Sequence, residues 1–413
     1  MITTTPKQPL KAKQENSLQV AIIGGGLTGL ITASLLEQYS LKNNCSIELT
    51  IFEKSAGVGR LATRYKQANE QQQMWQFDFG AQFFTAKTEA FRHYLQPWLE
   101  AEVVQPWLAR TASIALNKGE ISQSQGVANA IEVTGQWSAE QPRYISCAKM
   151  TSLGRKIAKT LQFTDIYYKT KVAALTESAL SSIDSEHGDC ATTLFDEQGN
   201  VLGVFDWVIC TAPQAQAIEL VAQTKFEYTQ AIKSPNMLAC YTLMLGWNDQ
   251  SSLPDSLQSG NWDVLQVENS GANGEDSILD RVFIEHHKPG RESLLPSVTI
   301  HASNIWAQAH VDDELDTVQD KMLAATKQIL GWDQVSAPVH IDCHRWRYAS
   351  TQLAASQALQ ESVESCAPTQ QRAYVDHKRQ WIVTGDWCDE GGRIESCFNA
   401  ASDVVEIISN DAN

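Results

Sequence analysis

With 413 residues, 43% of them hydrophobic and 19% charged, the chain is long enough for roughly two to three folded domains and too apolar to read as disordered. Its 48 acidic residues against 32 basic ones leave a formal charge of −16. That balance opposes a phosphate backbone unless basic residues are concentrated in a patch, and none is seen, so nucleic acid is not expected as a partner.

The opening stretch MITTTPKQPLKAKQENS carries lysines but no apolar signal-peptide core. Residues 1–16 therefore read as a flexible leader, and a cytoplasmic protein is expected. The nine cysteines form no CxxC pair and no zinc-like spacing with histidine, which fits reduced thiols and no metal site. The uncharged run from Leu18 to Leu36 is interrupted by Gly24, Gly25, Gly26 and Gly29. A turn there excludes a transmembrane helix, and no membrane partner is expected.

Gln19 to Ile23 reads as a buried strand. Leu27, Leu30, Ile31 and Leu35 follow at helical spacing, and Ile47 to Glu53 (IELTIFE) reads as a second strand. Together they form a β-α-β unit with parallel strands. Between strand and helix lies Gly24-x-Gly26-x-x-Gly29. In this pattern the first glycine permits a tight turn and the second lets backbone approach a pyrophosphate. The third lets helix and strand pack closely, and the anion meets the helix N-terminus at Leu27 and Thr28. Glu53, followed by Lys54, ends the second strand, where a carboxylate accepts hydrogen bonds from ribose hydroxyls. The motif predicts an adenine dinucleotide and leaves NAD and FAD both open. A single fingerprint argues against a reductase with separate FAD and NAD domains, and the lack of CxxC argues against a disulfide reductase.

Further along, Asp206–Thr211 and Trp381–Asp386 read as short buried strands sharing the first sheet, the latter leading into a terminal helix. Polar stretches at 119–143, 176–200, 249–277 and 351–372 read as loops or connections.

FEKSAGVGRLATRY, FDFGAQFFTAKTEAF, HRWRYAS and TGDWCDEGGRIESCF occur in that order. This set resembles the bacterial renalase-like branch of the FAD-dependent amine oxidase superfamily, from Val20 to about Ile408. The resemblance implies an α/β fold, with a doubly wound FAD-binding domain and a second α+β substrate domain carrying an antiparallel sheet. The implied ranges are 17–85, 145–215 and 375–413 for the first, and 86–144 and 216–374 for the second. It also implies noncovalent FAD, and a dihydropyridine-like hydride donor with oxygen as the acceptor, giving hydrogen peroxide.

Carried over by residue, Arg60 and Arg64, with Leu61 between them, fall near the pyrophosphate and the flavin approach. Relatives commonly have Gly-Gly-Arg here, whereas this chain has only Gly59 before Arg60. Gly80, Ala81 and Gln82 match the segment approaching the flavin ring, with Phe77, Phe79, Phe83 and Phe84 as an apolar wall or a plain aromatic core. Val172 matches a strand that meets the adenine and is equally a core valine. Asp386 matches a ribityl or pyrophosphate contact, and Arg393 and Ile394 open a helix whose N-terminus faces the flavin pyrimidine. His301 and Trp346 match positions near the pocket, Trp346 as a wall, with Arg345, Arg347 and Tyr348 as neighbours. An amine oxidase or desaturase on the same scaffold, and a redox sensor without turnover, are the competing readings. The oligomeric state is not legible.

Overall fold

A strand of Leu18–Ile23 (β1) lies between Ile47–Glu53 (β2) and Trp207–Cys210, parallel to both. The computed structural model describes residues 17–57, 59–68, 73–115, 131–182, 190–233, 236–268, 277–352, 372–389 and 393–411. The leader, Gly391 and Gly392 of the last motif, and large parts of the polar stretches at 119–143 and 351–372 lie outside the described residues. The chain divides into two compact units. One comprises Met1–Gly59, Ile157–Asn236 and Leu353–Asn413, and the other Arg60–Lys156 and Met237–Gln352. The division therefore falls after Gly59, Lys156, Asn236 and Gln352, so that 60–85 and 145–156 group with the second unit and 216–236 and 353–374 with the first.

The first unit is built on a six-stranded sheet in the order Thr164–Tyr168, β2, β1, Trp207–Cys210, Trp381–Thr384, Ala373–Asp376. The first five strands are parallel and the last is antiparallel. The starting unit and the chain's end thus share one sheet, as the short apolar runs predict. Val20, Ala21, Ile22, Ile51, Val208, Ile209 and Ile382 have exposures near zero, as expected of parallel strands covered on both faces.

The helix Leu27–Asn43 (α1) follows β1. Its burial differs from the expected single face: Leu27 through Ser34 are all buried, and Leu36 is buried where Leu35 is only half-buried. The Ile394–Asp411 helix packs along α1 and also touches the Ala373–Asp376 strand, so the first turns of α1 are covered by both sheet and helix and leave no polar face to reveal the period.

The second unit carries a seven-stranded sheet in the order His340–Gln352, Asn236–Gly246, Ser297–Ala302, Leu279–Ile284, Val264–Glu268, Arg110–Ala115, Glu132–Gln136. From Asn236–Gly246 through Ser297–Ala302 and Leu279–Ile284 to Val264–Glu268 neighbours are antiparallel, as are Arg110–Ala115 and Glu132–Gln136, whereas Val264–Glu268 and Arg110–Ala115 run parallel. Tyr241, Leu243, Leu245, Trp247, Val282, Val298 and Ile300 form its core with Met322 and Ile329 of the Leu315–Leu330 helix. Three stretches read as loops contain strands instead. Glu132–Gln136 is exposed throughout, an edge strand with no apolar face to mark it. Cys190–Phe195 and Val264–Glu268 lie inside 176–200 and 249–277, where flanking polar residues obscure short apolar runs.

Candidate functional site

At the end of β1 the backbone turns at Gly24, whose φ of +118° is one that L side chains rarely adopt. A Cβ on Gly29 would stand 2.1 Å from the Gly24 carbonyl oxygen, so the third glycine is required by the chain's own close contact between helix and turn. Gly26 is different. Its φ of −71° and ψ of −177° suit any residue, and a Cβ there would meet nothing within 4 Å. Neither the backbone nor any described neighbour demands glycine at this position; an approaching ligand would.

Gly26 is also the N-cap of α1, with no side-chain cap and no acidic residue in the first turn. The N–H groups of the first turn and the positive end of the helix dipole are therefore left for an anion. Gly59, at φ +65°, would bring a Cβ within 3.5 Å of Gly26 Cα.

Glu53 ends β2 and is buried, at 8% exposure. Its Oε2 accepts the Gly25 N–H at 2.7 Å and its Oε1 the Ser55 N–H at 2.7 Å. Each oxygen keeps a second acceptor position, so the carboxylate is fixed in place and still able to receive hydroxyl donors. Lys54 is exposed, and Thr28 is buried. The donor set, the open Gly26 face and the uncapped helix fit a dinucleotide.

Elsewhere in this unit, Val172 is buried and bridges Asp196. Asp386 is buried at the start of a short 3-10 helix, Asp386–Cys388, that follows Trp381–Thr384. Burial, then the Asp386 carboxylate, pushes the Cys388 thiol well above its ordinary value, leaving a poor nucleophile for a covalent cofactor link. Arg393 is exposed, its N–H donating to Ser396 Oγ at 3.3 Å, and Ile394 begins the last helix. An open groove lined by Ser40, Cys45, Glu48 and Tyr167 sits at the start of β2, away from the glycine turn at its far end.

In the second unit Gly80 is required by the chain itself. A Cβ there would meet the Arg60 carbonyl oxygen at 2.0 Å, and that oxygen accepts the Ala81 N–H. Arg60 Nη1 donates to the Ala349 carbonyl at 3.2 Å, and Leu61 is buried. Arg64 pairs with Asp342 at 2.6 Å and lies over the Phe79 ring.

The four phenylalanines do not form one wall. Phe77 is buried with Trp75, Met244 and Leu295, and Phe84 sits among Phe91 and Tyr144. Phe83 meets Trp137. Only Phe79 stacks with Trp346, ring centroids 5.2 Å apart, while His344 meets both edge-on. Phe79 also packs against the Phe77 cluster, as two residues one apart on an extended segment should; alternation separates only the adjacent pair, Phe83 and Phe84. Trp346 Nε1 donates to the Phe79 carbonyl at 2.8 Å, an oxygen that also accepts Thr242 Oγ1 at 2.8 Å.

His301, on the Ser297–Ala302 strand, packs its ring edge-on against Phe283 and lies 3.4 Å from Gln82 Nε2. Burial, with Lys288 and Arg281 nearby, pushes its imidazole down to about 3, so it is neutral at pH 7.

Sequence reasoning missed the buried charges beside it. Asp78, Glu285, Lys288 and Arg291 are all within 1% of full burial. Arg291 bridges Asp78 and Glu285, and Lys288 Nζ donates to both Glu285 oxygens at 3.0 Å and to Gln82 Oε1 at 2.6 Å. Asp78 also accepts Thr63 Oγ1 and the Met150 N–H, and Glu285 accepts Thr299 Oγ1. Burial would raise the Asp78 pKa, but Arg291 and Lys288 hold it below the usual value; burial pulls Lys288 down. Two cations and two anions cancel, and every carboxylate oxygen has donors.

Residues 22–98 match the family of NAD(P)-binding Rossmann-like domains. Among solved structures, a putative protoporphyrinogen oxidase from Exiguobacterium sp. 255-15 is 13% identical with a TM-score of 0.63, the match covering 95% of this chain and 99% of that one. A double mutant of putrescine oxidase made in a redesign of cofactor binding is 11% identical with a TM-score of 0.59, covering 95% and 100%. The described residues contain no helix long and apolar enough to cross a membrane. The chain carries a Rossmann-like dinucleotide-binding domain and has the fold of these two oxidases.

Proposed function

We infer that the chain is an FAD-dependent oxidase that binds FAD noncovalently. It takes a hydride from a small dihydropyridine-type donor, isomeric with NAD(P)H, and passes the electrons to oxygen. The balance is one donor, one oxygen and one proton giving one oxidised pyridinium and one hydrogen peroxide. The observation that carries the cofactor reading is Gly26, a glycine that only an approaching ligand explains, beside the anchored Glu53 carboxylate. The renalase-like order of motifs on an oxidase fold supports the rest.

On this reading Glu53 holds the ribose, and Gly24, Gly26, Leu27, Thr28 and Gly29 present the uncapped helix to the pyrophosphate, with Lys54, Arg60, Leu61, Arg64, Val172, Asp386, Arg393 and Ile394 as further cofactor contacts. Gly80, Ala81 and Gln82 meet the ring. Bound FAD supplies the two-electron acceptor; the protein holds the donor carbon in place and excludes water. Trp346 and Phe79 supply a flat apolar wall for a planar donor. His301, neutral and half-buried, contacts the donor without a charge of its own.

A donor with a neutral reacting ring is favoured over a cationic amine by one observation. The carboxylates linked to His301 through Gln82 and Lys288 are Asp78 and Glu285, and both are already engaged by Arg291 and Lys288. That cluster offers an ammonium group no open partner. Anaerobic mixing with dihydronicotinamide isomers, amines and polyenes, followed by flavin bleaching, tests the reading. The dihydronicotinamides should reduce the flavin fastest, with peroxide on reoxidation. Faster reduction by amines or polyenes sinks this substrate class, and flavin that no donor reduces points to the sensor reading.

A further inference from the structure

Gln82 has an amide orientation that its neighbours dictate. Lys288 Nζ can only donate, so the oxygen of the amide faces it, at 2.6 Å. The Asp78 carbonyl can only accept, so the nitrogen faces that side and donates to it. The second hydrogen on the same nitrogen is directed at His301 Nε2, 3.4 Å away. A ring nitrogen that faces an N–H must offer its lone pair. A neutral imidazole with Nε2 unprotonated carries its hydrogen on Nδ1; the hydrogen bonds of the described residues engage the ring through Nε2 alone, and Nδ1 is not among the buried atoms left without a partner.

We propose that Lys288 and Gln82 are positioning residues that lock His301 as the neutral Nδ1–H tautomer, and that this N–H selects donors carrying a carbonyl acceptor instead of moving a proton. The inference rests on the substrate reading above and adds to it the chemical group recognised. A carboxamide carbonyl on the pyridine ring is such an acceptor; a saturated amine has none.

The charged groups around His301 are Lys288 and Arg281, with Glu285 bound to Lys288 and to Thr299 on the histidine's own strand. The two cations disfavour an imidazolium, and Glu285 is neutralised by its partners. Gln82→Glu reverses the arrangement. A carboxylate can accept from both Lys288 and His301, so Nε2 gains the proton and the imidazole titrates at higher pH.

The test uses the FAD-loaded full chain labelled with 15N in its histidines, with the His301 signal assigned from a His301→Gln variant. The expected result is an Nδ1–H signal that does not titrate between pH 8 and 5. In Gln82→Glu the signal should change to Nε2–H and its titration should move up by more than a unit. A wild-type His301 seen as Nε2–H, or titrating near its ordinary value, overturns the proposal even if the Gln82 variant fails to fold. Binding of nicotinamide against 3-methylpyridine, followed by perturbation of flavin absorbance, reads the selection. Wild type should favour the carbonyl-bearing ring by roughly three- to tenfold, and His301→Phe should erase the preference. A preference that survives the substitution overturns the recognition role. The two failures are distinguishable: a wrong tautomer overturns this inference whatever the substrate, whereas amines outpacing dihydropyridines overturns the substrate reading alone.

Discussion

Glu53 Oε2 accepts the Gly25 N–H at 2.7 Å, so the residue proposed to hold a ribose also holds the glycine turn proposed to meet the pyrophosphate. Glu53→Gln keeps the shape but loses the charge, and places an amide N–H against a backbone donor. With charge-assisted hydrogen bonds contributing about 1.5–3 kcal/mol each, FAD affinity should fall about tenfold to a hundredfold. Flavin reduction at saturating FAD should change little. Titration of the apo-protein with FAD, followed by reduction at full occupancy, separates the effects; unchanged affinity removes Glu53 from the site.

The glycines give a paired test. Gly26→Ala meets no neighbour and needs no unusual backbone, so the apo-protein should keep its stability to within about 1 kcal/mol while losing most of its cofactor affinity. Gly29→Ala drives a Cβ into the Gly24 carbonyl at 2.1 Å and should be far less stable, by several-fold more than Gly26→Ala in kcal/mol. Denaturant melts of both apo-proteins decide. Normal FAD binding by Gly26→Ala would show that the open face is not the ligand's.

The glycine turn and the individual strands of the first sheet were legible because each is written in consecutive residues, as a fixed glycine spacing or a short apolar run. The buried charges were not. Asp78 and Gln82 stand about two hundred positions before Lys288 and Arg291, and nothing local in FDFGAQFF or HHKPGR announces that the two segments meet. Trp346 was read as a wall from its motif alone, but its partner Phe79 could not be told from Phe77 or Phe84 until the chain was folded.

Arg291→Met removes the cation shared by Asp78 and Glu285. Leaving buried carboxylates without that partner should cost about 3–5 kcal/mol. Chemical denaturation of the variant and wild type, compared at pH 7, checks this. A loss under about 1 kcal/mol would show that water or Lys288 compensates.

Acid should weaken the fold before the carboxylates titrate. Burial, followed by its neighbour His287, pushes His286 down to about 4, and burial with the Arg64 charge does the same to His344; His301 lies at about 3. Between pH 6.5 and about 4 the unfolded chain binds protons at these sites that the folded chain does not. Stability therefore falls as pH drops through that window, by up to about 1.4 kcal/mol per pH unit for each histidine. Unfolding free energies measured from pH 8 to pH 5 should fall on the acid side, and His286→Asn should flatten the slope. A profile that is level down to pH 5 contradicts the buried neutral state.

Trp346 joins two functions that substitution can separate. Its indole N–H donates to the Phe79 carbonyl, and its ring stacks on the Phe79 ring. Trp346→Phe loses the hydrogen bond, but the carbonyl keeps Thr242 Oγ1 as a donor, so no buried acceptor is orphaned and the cost stays near 1 kcal/mol or less. Trp346→Ala removes the ring altogether. If the indole is a wall for a planar donor, the alanine variant should lose about tenfold or more in kcat/KM for a dihydronicotinamide, since aromatic contacts contribute about 0.5–1.5 kcal/mol beyond the area they bury. The phenylalanine variant should lose less than about threefold. Oxygen-uptake kinetics with both variants, alongside their FAD affinities, provide the measurement. Equal damage from the two substitutions would assign the role of Trp346 to the hydrogen bond that fixes the Phe79 backbone, and the wall would have to be sought in other residues.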